Sequence, residues 1–320
     1  MFALGGTNEN GEAVLAVTAT VFSDYRVADR LTQEEIEDRQ FLDFAYGAQQ
    51  RGELPMELSF VRPPSDPPDL LVTTRGHQHG VELTSITTPE VSRQRLSEVR
   101  AVGRNLGELV RSDSTRFAHL IGKQVILSEM ASDGQRPPRV HRRRMEEIVD
   151  QLAEALGPEI GTVDRTPWTN PESPEDTRIP SEVTMRGRAR VDQFYWLEVH
   201  QGADNSAAPN VIANCQVELV RRVVADTLIE RIQKKDREGT DFILVTTGLP
   251  NNEGYVCPAD SHIFHLLHQK AVAGTLQFPP LRHVTQVAIN HWHYPPWTMV
   301  FADRDGLLQR RHDDLCEGSQ

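Results

Sequence analysis

Two carboxylates set in short apolar stretches are the residues of this chain best suited to chemistry. Asp69 precedes the apolar run 70–73, and Glu82 lies inside a second run, 81–86. An unpaired charge inside a buried strand is costly, so such residues need a partner. Carboxylate oxygens are the ligands that hard divalent cations prefer. The pair therefore predicts a site for a divalent metal ion.

The two runs are expected to form a β-hairpin, because aliphatic and β-branched residues fill them and the turn-like segment 75–78 separates them. Side chains alternate along a strand, so Glu82 and Thr84 share one face. If the turn has an even number of residues, Asp69 lies opposite Glu82 or Thr84, and both carboxylates can reach one ion. An odd number would place the two acids on opposite faces and remove the site.

Helix and strand patterns alternate along the chain and predict a mixed α/β protein. A helix is expected from just after Thr32 to about Gln50, because Thr32 and Glu35 have the spacing of a capping box. Apolar residues at 217, 220, 224, 228 and 232 predict one long helix over 211–238. The remaining predicted elements are strands at 12–22, 57–61, 124–127, 194–199, 242–245, 284–289 and 298–302, and helices at 89–112, 143–157 and 260–270.

The composition of the chain indicates what class of protein to expect. The chain has 320 residues, of which 38% are hydrophobic and 25% charged, as in a soluble globular protein. No signal-peptide pattern and no run long enough to span a bilayer is found, and the three scattered cysteines are typical of a reducing compartment. A cytoplasmic protein without a membrane partner is therefore expected. The formal net charge of −12 excludes long-range attraction of the whole molecule to nucleic acid, so any phosphate contact would be local.

The motif residues resemble those of a known family. A helix, a strand, Pro67-Pro68-Asp69 at the start of the next strand and Gly80-Val81-Glu82-Leu83-Thr84 on the third resemble the core of the PD-(D/E)XK nuclease superfamily, the restriction-endonuclease-like fold. The resemblance covers about 25–130 by the order of elements, although only Asp69 and Glu82 match the motif strictly.

The resemblance has consequences for the fold. It implies an α/β protein with a mixed central β-sheet flanked by helices, built around a restriction-endonuclease-like core. It also implies a single domain over 1–320. The segments near 131–142 and 165–184, which are rich in Pro, Arg, Asp and Thr, would then be loop-rich insertions.

The resemblance also implies an activity. In this family an Asp and a Glu on adjacent strands hold Mg²⁺ or a similar ion, and a Lys two residues after the Glu helps to position or activate the attacking water. The expected reaction is hydrolysis of phosphodiester bonds in nucleic acid, DNA in preference to RNA. Asp69, Glu82 and the carbonyl of Leu83 would hold Mg²⁺ or Mn²⁺. A homodimer is compatible with this activity, because nucleases that cut two strands are often dimers.

Thr84 departs from the motif, because it stands where the family has lysine. Its neutral hydroxyl can hydrogen-bond a metal-bound water but cannot stabilise an anion as an ammonium does. Lys235, or its neighbour Lys234, could supply the missing charge from the late helix, although ordinary charge at a helix C-terminus is the simpler explanation. If no lysine reaches the site, the alternative function is an inactive nuclease fold that binds nucleic acid or a protein partner.

Many members of the family add a Glu from the first helix. Glu37 falls between Phe41 and Phe44 on the apolar arc of the predicted helix, and Glu34 is the second choice. Glu37 would orient the water or bind a second ion. Both acids equally fit a simpler role in the opening turns, where they favour the helix dipole.

Three histidines leave a different function open. His262, His265 and His268 repeat every three residues on a predicted helix, and imidazole is a common zinc ligand. No Glu or Cys completes a known zinc motif there, so a structural stripe is the better interpretation. A zinc protein built on these histidines is the third hypothesis.

Overall fold

A computed structural model describes residues 2–7, 13–21, 31–129, 140, 142–163, 186–191, 194–202, 209–250, 256–257, 259–292, 298–302 and 306–308. Within these residues the chain forms twelve strands and five α-helices, with both parallel and antiparallel strand pairs. The predicted α/β class with a mixed sheet is therefore confirmed. The predicted insertion at 165–184 lies outside the described residues, as does most of 131–142.

The strands are β1 (Phe2–Thr7), β2 (Ala13–Val21), β3 (Leu58–Val61), β4 (Leu70–Thr74), β5 (His77–Ile86), β6 (Lys123–Glu129), β7 (Arg188–Val191), β8 (Tyr195–Gln201), β9 (Asn210–Val220), β10 (Phe242–Thr247), β11 (Gln286–His291) and β12 (Thr298–Ala302). The helices are α1 (Gln33–Gln50), α2 (Glu90–Ser112), α3 (Arg142–Ala155), α4 (Arg221–Lys235) and α5 (Asp260–Val272). Two six-stranded sheets result, in the orders β1-β2-β9-β6-β8-β7 and β12-β11-β10-β5-β4-β3.

Contacts divide the chain into two compact units. The first consists of Met1–Phe2, Thr18–Tyr25 and Glu90–Val217, and the second of Ala3–Val17, Arg26–Pro89 and Glu218–Gln320. The second unit is thus interrupted in sequence by the long segment Glu90–Val217. The single domain over 1–320 stays a prediction, and the core implied at 25–130 has residues in both units.

The second unit is built on the sheet that carries the acidic motif. Strand β5 pairs with β4 in antiparallel fashion and with β10 in parallel, and β10 pairs with β11 in parallel. One face of this sheet, which includes Val81, Leu83 and Leu244, packs against Phe41 and Phe44 of α1. Since side chains alternate, Glu82 points to the other face, where α4 contacts β5.

Helix α1 begins as its sequence predicts. The amide of Glu35 donates to Thr32 Oγ1 at 3.2 Å, and the amide of Thr32 donates to Glu35 Oε2 at 2.8 Å. The two bonds satisfy amides that the first turn of a helix leaves without partners. The predicted capping box and the predicted helix span are therefore confirmed.

The single helix predicted over 211–238 is wrong. Residues Asn210–Val220 form β9, and α4 begins only at Arg221. Val211, Ala213 and Cys215 are buried while the residues between them are half-buried, which is the period of a strand. The helical spacing holds only from Val224 onward, so its apparent extension to 217 was a chance match.

In the first unit, α2 and α3 contribute to a core with β6, β8 and β9. Gly103 of α2 lies very close to β9, since a Cβ added there would be 2.8 Å from the Cβ of Ala213. The sequence does not predict β7, which is short and carries two arginines among four residues. Among the described helices, none combines the length with the apolar character that crossing a bilayer requires.

Candidate functional site

A two-residue turn joins the strands that carry the acidic motif. Arg75 and Gly76 have φ values of 49° and 80°, and positive φ at both central positions is typical of a type I′ hairpin turn. The turn is shorter than the predicted segment 75–78, but its length is even. Leu70 pairs with Val81, so Asp69 and Glu82 are the next residues beyond that pair. This is the condition under which both carboxylates share one face.

The carboxylates of Asp69 and Glu82 converge, and a lysine joins them. Asp69 Oδ2 accepts a hydrogen bond from the amide of Leu83 at 2.7 Å, which fixes its orientation. Lys235 Nζ lies 3.1 Å from the same Asp69 oxygen and also donates to Glu82 Oε2. Lys235 is the residue that the sequence offers as a substitute for the missing motif lysine. The structure brings these three side chains together, and their catalytic role stays a prediction.

A third carboxylate lies near the pair. Asp66, Asp69 and Glu82 each offer an oxygen, and the three oxygens lie within 4.8 Å of one another. Sequence reasoning missed Asp66, because two prolines separate it from Asp69 and the alternation of a strand does not extend through them. The only available signal was an acid three residues before another acid in a Pro-rich segment. Among the described residues, this is the only group of acids, histidines or cysteines with such spacing.

Burial dominates the electrostatics of Glu82. Its side chain is 0% exposed, and Glu82 Oε1 has no hydrogen-bond partner among the described residues. Burial raises the pKa of Glu82 to about 7, and the charge of Asp69 adds to the rise, while Lys235 opposes it. For Lys235, burial opposes the charged form, but hydrogen bonds and charges of Glu82 and Asp69 outweigh it and raise its pKa. The cluster therefore keeps its ammonium and takes up one carboxyl proton near neutral pH.

Among the described residues, no strand pairs with β5 beyond Val81 on the β4 side. Strand β4 pairs with β5 only from Leu70 onward, whereas β10 covers the opposite edge as far as Ile86. The N–H and C=O of one strand residue point to the same edge. Because the Leu83 amide binds Asp69, the Leu83 carbonyl faces this open edge beside the acids.

A close backbone contact supports β5 just before Glu82. A Cβ on Gly80 would lie 1.8 Å from the carbonyl oxygen of Gly239, so only glycine allows the approach. The amide of Gly80 donates to Asp241 Oδ2 at 2.9 Å, and the amide of Asp241 donates to the Gly80 carbonyl at 2.8 Å. These contacts fix the segment after α4 against the strand that carries Glu82.

Glu37 does not join the close carboxylates. It pairs with Arg62 at 2.7 Å and accepts from Gln33 Nε2 at 2.9 Å, near the start of α1. Helix α1 packs on the face of the sheet opposite to Glu82, which accounts for the separation. The polar residue on the buried side of α1 is Gln40, whose Nε2 donates to the Thr84 carbonyl at 2.8 Å. The second choice, Glu34, is exposed.

The other predicted residues have ordinary surroundings. Thr84 is half-buried on the face that it shares with Glu82. Lys234 pairs with Glu230 at 2.6 Å, and both side chains are exposed. His262 and His265 have ring centroids 6.4 Å apart on α5, and no histidine belongs to a potential metal group among the described residues. The zinc hypothesis thus gains no support.

Comparison with known proteins adds no assignment. No protein-family model, curated protein or solved structure matches this chain. The chemistry of the site must therefore be inferred from its own residues.

Proposed function

We propose that this protein is a metal-dependent nuclease that hydrolyses phosphodiester bonds in nucleic acid, with DNA as the preferred substrate. One observation carries the proposal: Asp69, directly before β4, and Glu82, on β5, share a single lysine, Lys235. Three carboxylates lie close together and one ammonium contacts two of them, so the cluster has an excess of negative charge. A divalent cation would offset that excess.

The donor set fits Mg²⁺ or Mn²⁺. Glu82 Oε1 is buried and has no partner among the residues that the structure describes, which is costly for a carboxylate unless a cation completes its coordination. Asp69, Glu82 and the Leu83 carbonyl would hold the ion through oxygens alone, and the exposed Asp66 could add a carboxylate. When bound, the ion lowers the pKa of a water molecule and offsets charge that develops on the phosphoryl group.

Each protein group has a distinct task in this proposal. The Leu83 amide orients Asp69, and the closed environment of Glu82 fixes its carboxylate relative to the strand. Lys235 keeps its proton because two carboxylates stabilise it, so it acts as an electrostatic partner of an anionic phosphate and not as a base. Thr84 supplies a neutral hydroxyl that can donate to or accept from a bound water.

One observation favours a second candidate function. Lys235 is engaged by both acids, and Thr84 cannot replace its charge. If Lys235 never leaves the acids, the site holds nucleic acid or a protein partner without cutting it. This version differs from the nuclease in the chemical step alone.

Cleavage assays decide between the two. The full chain is incubated with plasmid DNA and with single-stranded DNA and RNA oligonucleotides, in Mg²⁺ or Mn²⁺, beside Glu82→Ala. The exposed Glu57 gives a matched control, Glu57→Ala, in the same unit. We expect cleavage by the parent protein and the control but not by Glu82→Ala. Equal activity in all three would remove the nuclease proposal, and binding without cleavage that survives a chelator would favour the second candidate.

A further inference from the structure

The open edge of β5 continues past the acids to a second cation. Two residues beyond Leu83, the carbonyl of Ser85 faces the same edge and accepts a hydrogen bond from Arg231 Nη1. Arg231 lies on α4 four residues before Lys235, and residues at this spacing are neighbours on one side of a helix. Helix α4 therefore presents two cations along β5, Lys235 beside Glu82 and Arg231 beside Ser85.

Among the described residues, Arg231 has no carboxylate at ion-pair distance, although the pKa of the neighbouring Glu230 is lowered mainly by the hydrogen bond of Lys234 and further by the charge of Arg231. It forms no ion pair with any residue that the structure describes, and the adjacent Glu230 is bound to Lys234 at 2.6 Å. A guanidinium carries five N–H donors, and the Ser85 carbonyl accepts from one of its nitrogens. The side chain is half-buried in a protein whose formal net charge is −12. A cation in this position can bind an anion that comes from outside the chain.

Thr84 lies between the two cations along the strand. It shares the face of Glu82, and it follows that residue by two positions. The Lys235 ammonium lies before Thr84 along β5, and the Arg231 guanidinium lies after it. An extended anion with repeated negative charges fits this arrangement better than a single small anion does.

We propose that Arg231 binds a phosphate of the nucleic-acid chain next to the phosphodiester held at Asp69, Glu82 and Lys235. The inference rests on the proposed function and adds a binding residue to it. The planar guanidinium can donate two parallel N–H bonds to phosphate oxygens, which an ammonium cannot do. Arg231 would fix the position of the strand relative to the metal, and the uncharged Thr84 between the cations would leave room for the sugar.

The salt dependence of binding tests this assignment. Affinity of the full chain for a fluorescent oligonucleotide is measured by anisotropy in Ca²⁺ at several salt concentrations. The variants are Arg231→Gln, Arg231→Lys and, as a matched control, Arg222→Gln, an exposed arginine of α4 that pairs with Asp226 at 3.6 Å. Each lost phosphate contact lowers the slope of log K against log salt by about 0.7–0.9. Thermal unfolding of each variant checks that the chain is folded.

We expect Arg231→Gln to weaken binding by about 5- to 10-fold. The slope of log K against log salt should fall by about 0.7–0.9, the value for one phosphate contact. Arg231→Lys should restore the slope but not the full affinity, because lysine returns the charge but cannot donate two parallel N–H bonds to a phosphate. The control should match the parent protein. Unchanged affinity and slope in Arg231→Gln would overturn this assignment while leaving the nuclease proposal intact. An equal loss in the control would also overturn it, and a parent protein that neither binds nor cuts nucleic acid would overturn both proposals.

Discussion

Each unit of the molecule buries a glutamate on a strand, but the two acids have opposite surroundings. Glu129 at the end of β6 is 4% exposed, and its Oε2 accepts from Arg95 at 3.0 Å and from Cys215 at 3.1 Å. Glu82 is fully buried, shares Lys235 with Asp69 and has one oxygen without a hydrogen-bond partner in the described part of the chain. Glu129 is balanced by a cation of its own, whereas Glu82 is not. The excess of acids over cations, and not burial alone, is what distinguishes Glu82 as the candidate.

The largest expected effect concerns a glycine at a close approach in each unit. In Gly80→Ala the new methyl would meet the carbonyl oxygen of Gly239, and backbone must move to relieve the clash. In Gly103→Ala the methyl would lie 2.8 Å from the Cβ of Ala213, so a shift is needed there too, but a smaller one than at Gly80, and the helix gains propensity. We expect a loss of about 3 kcal/mol or more for Gly80→Ala and about 1 kcal/mol for Gly103→Ala, measured as free energy of unfolding in urea. Equal losses would show that the approach near Glu82 is no tighter than that near β9.

The acids themselves should differ in their contribution to stability. Glu129→Gln leaves the charge of Arg95 without its acid and should lower the free energy of unfolding by about 2–3 kcal/mol. The loss should not be larger, because the Arg95 side chain is 20% exposed and water can reach it. Glu82→Gln leaves Asp69 as a partner for Lys235 and removes a charge that burial disfavours, so it should not lower the stability at pH 7. Urea unfolding of both variants measures the contrast. A larger loss for Glu82→Gln would make the acid cluster a structural element.

Lys235 can be compared with its neighbour in sequence. Lys235→Met should reduce cleavage by about 10²-fold, because a positioned cation near the phosphate is lost. Lys234→Met should leave cleavage unchanged, since Lys234 is exposed and pairs with Glu230. Adding Thr84→Lys to Lys235→Met should recover part of the activity by returning an ammonium to the same face as Glu82. Cleavage rates at saturating Mg²⁺ measure all three, and equal rates for Lys234→Met and Lys235→Met would contradict the assignment.

The smallest expected effect is a pH dependence of Mg²⁺ binding, to which Glu82 contributes. Its pKa rises from 4.5 to about 7 on folding, mainly through burial, so the native state holds a proton that the unfolded chain releases. Its contribution to stability in the absence of metal should therefore fall as pH rises from about 4.5 to 7. Cation binding displaces that proton, so affinity for Mg²⁺ should rise by up to about tenfold per pH unit below 7 and level off above it.

Thermal unfolding with and without Mg²⁺ between pH 5.5 and 8.5 measures this dependence. Glu129→Ala retains the acid cluster and serves as the control if it folds, and Glu82→Gln should lose the dependence. A Mg²⁺ effect that does not change with pH, or that weakens as pH rises, would contradict the expected titration.

Local patterns account for what the sequence predicts correctly. The capping box of α1 and the hairpin turn depend on residues a few positions apart, and both are read directly from the chain. Helical periodicity could also have shown which of the two lysines faces the sheet. Lys235 follows the buried Leu228 and Ile232 by seven and three residues and so lies on their side of α4. Lys234 does not.

Contacts between distant segments account for what the sequence does not predict. The parallel pairing of β5 with β10, and the meeting of Arg231 with Ser85, join segments that no local pattern relates. The long helix predicted over 211–238 failed for a different reason: a strand and a helix follow each other without a turn signal. Asp66 reaches the acids through a segment with no regular period.

The segment Glu90–Val217 lies between two parts of the second unit, so the acids and their lysine are synthesised at different times. Lys235 is 153 residues later than Glu82 in the chain. At a synthesis rate of about 5–20 residues per second, the ribosome needs about 8–30 s to make that stretch. During this interval the hairpin has neither its parallel strand nor its lysine, and Glu82 remains in water as an ordinary carboxylate. Any activity that needs the Lys235 ammonium beside Glu82 can therefore begin only after this stretch has been made.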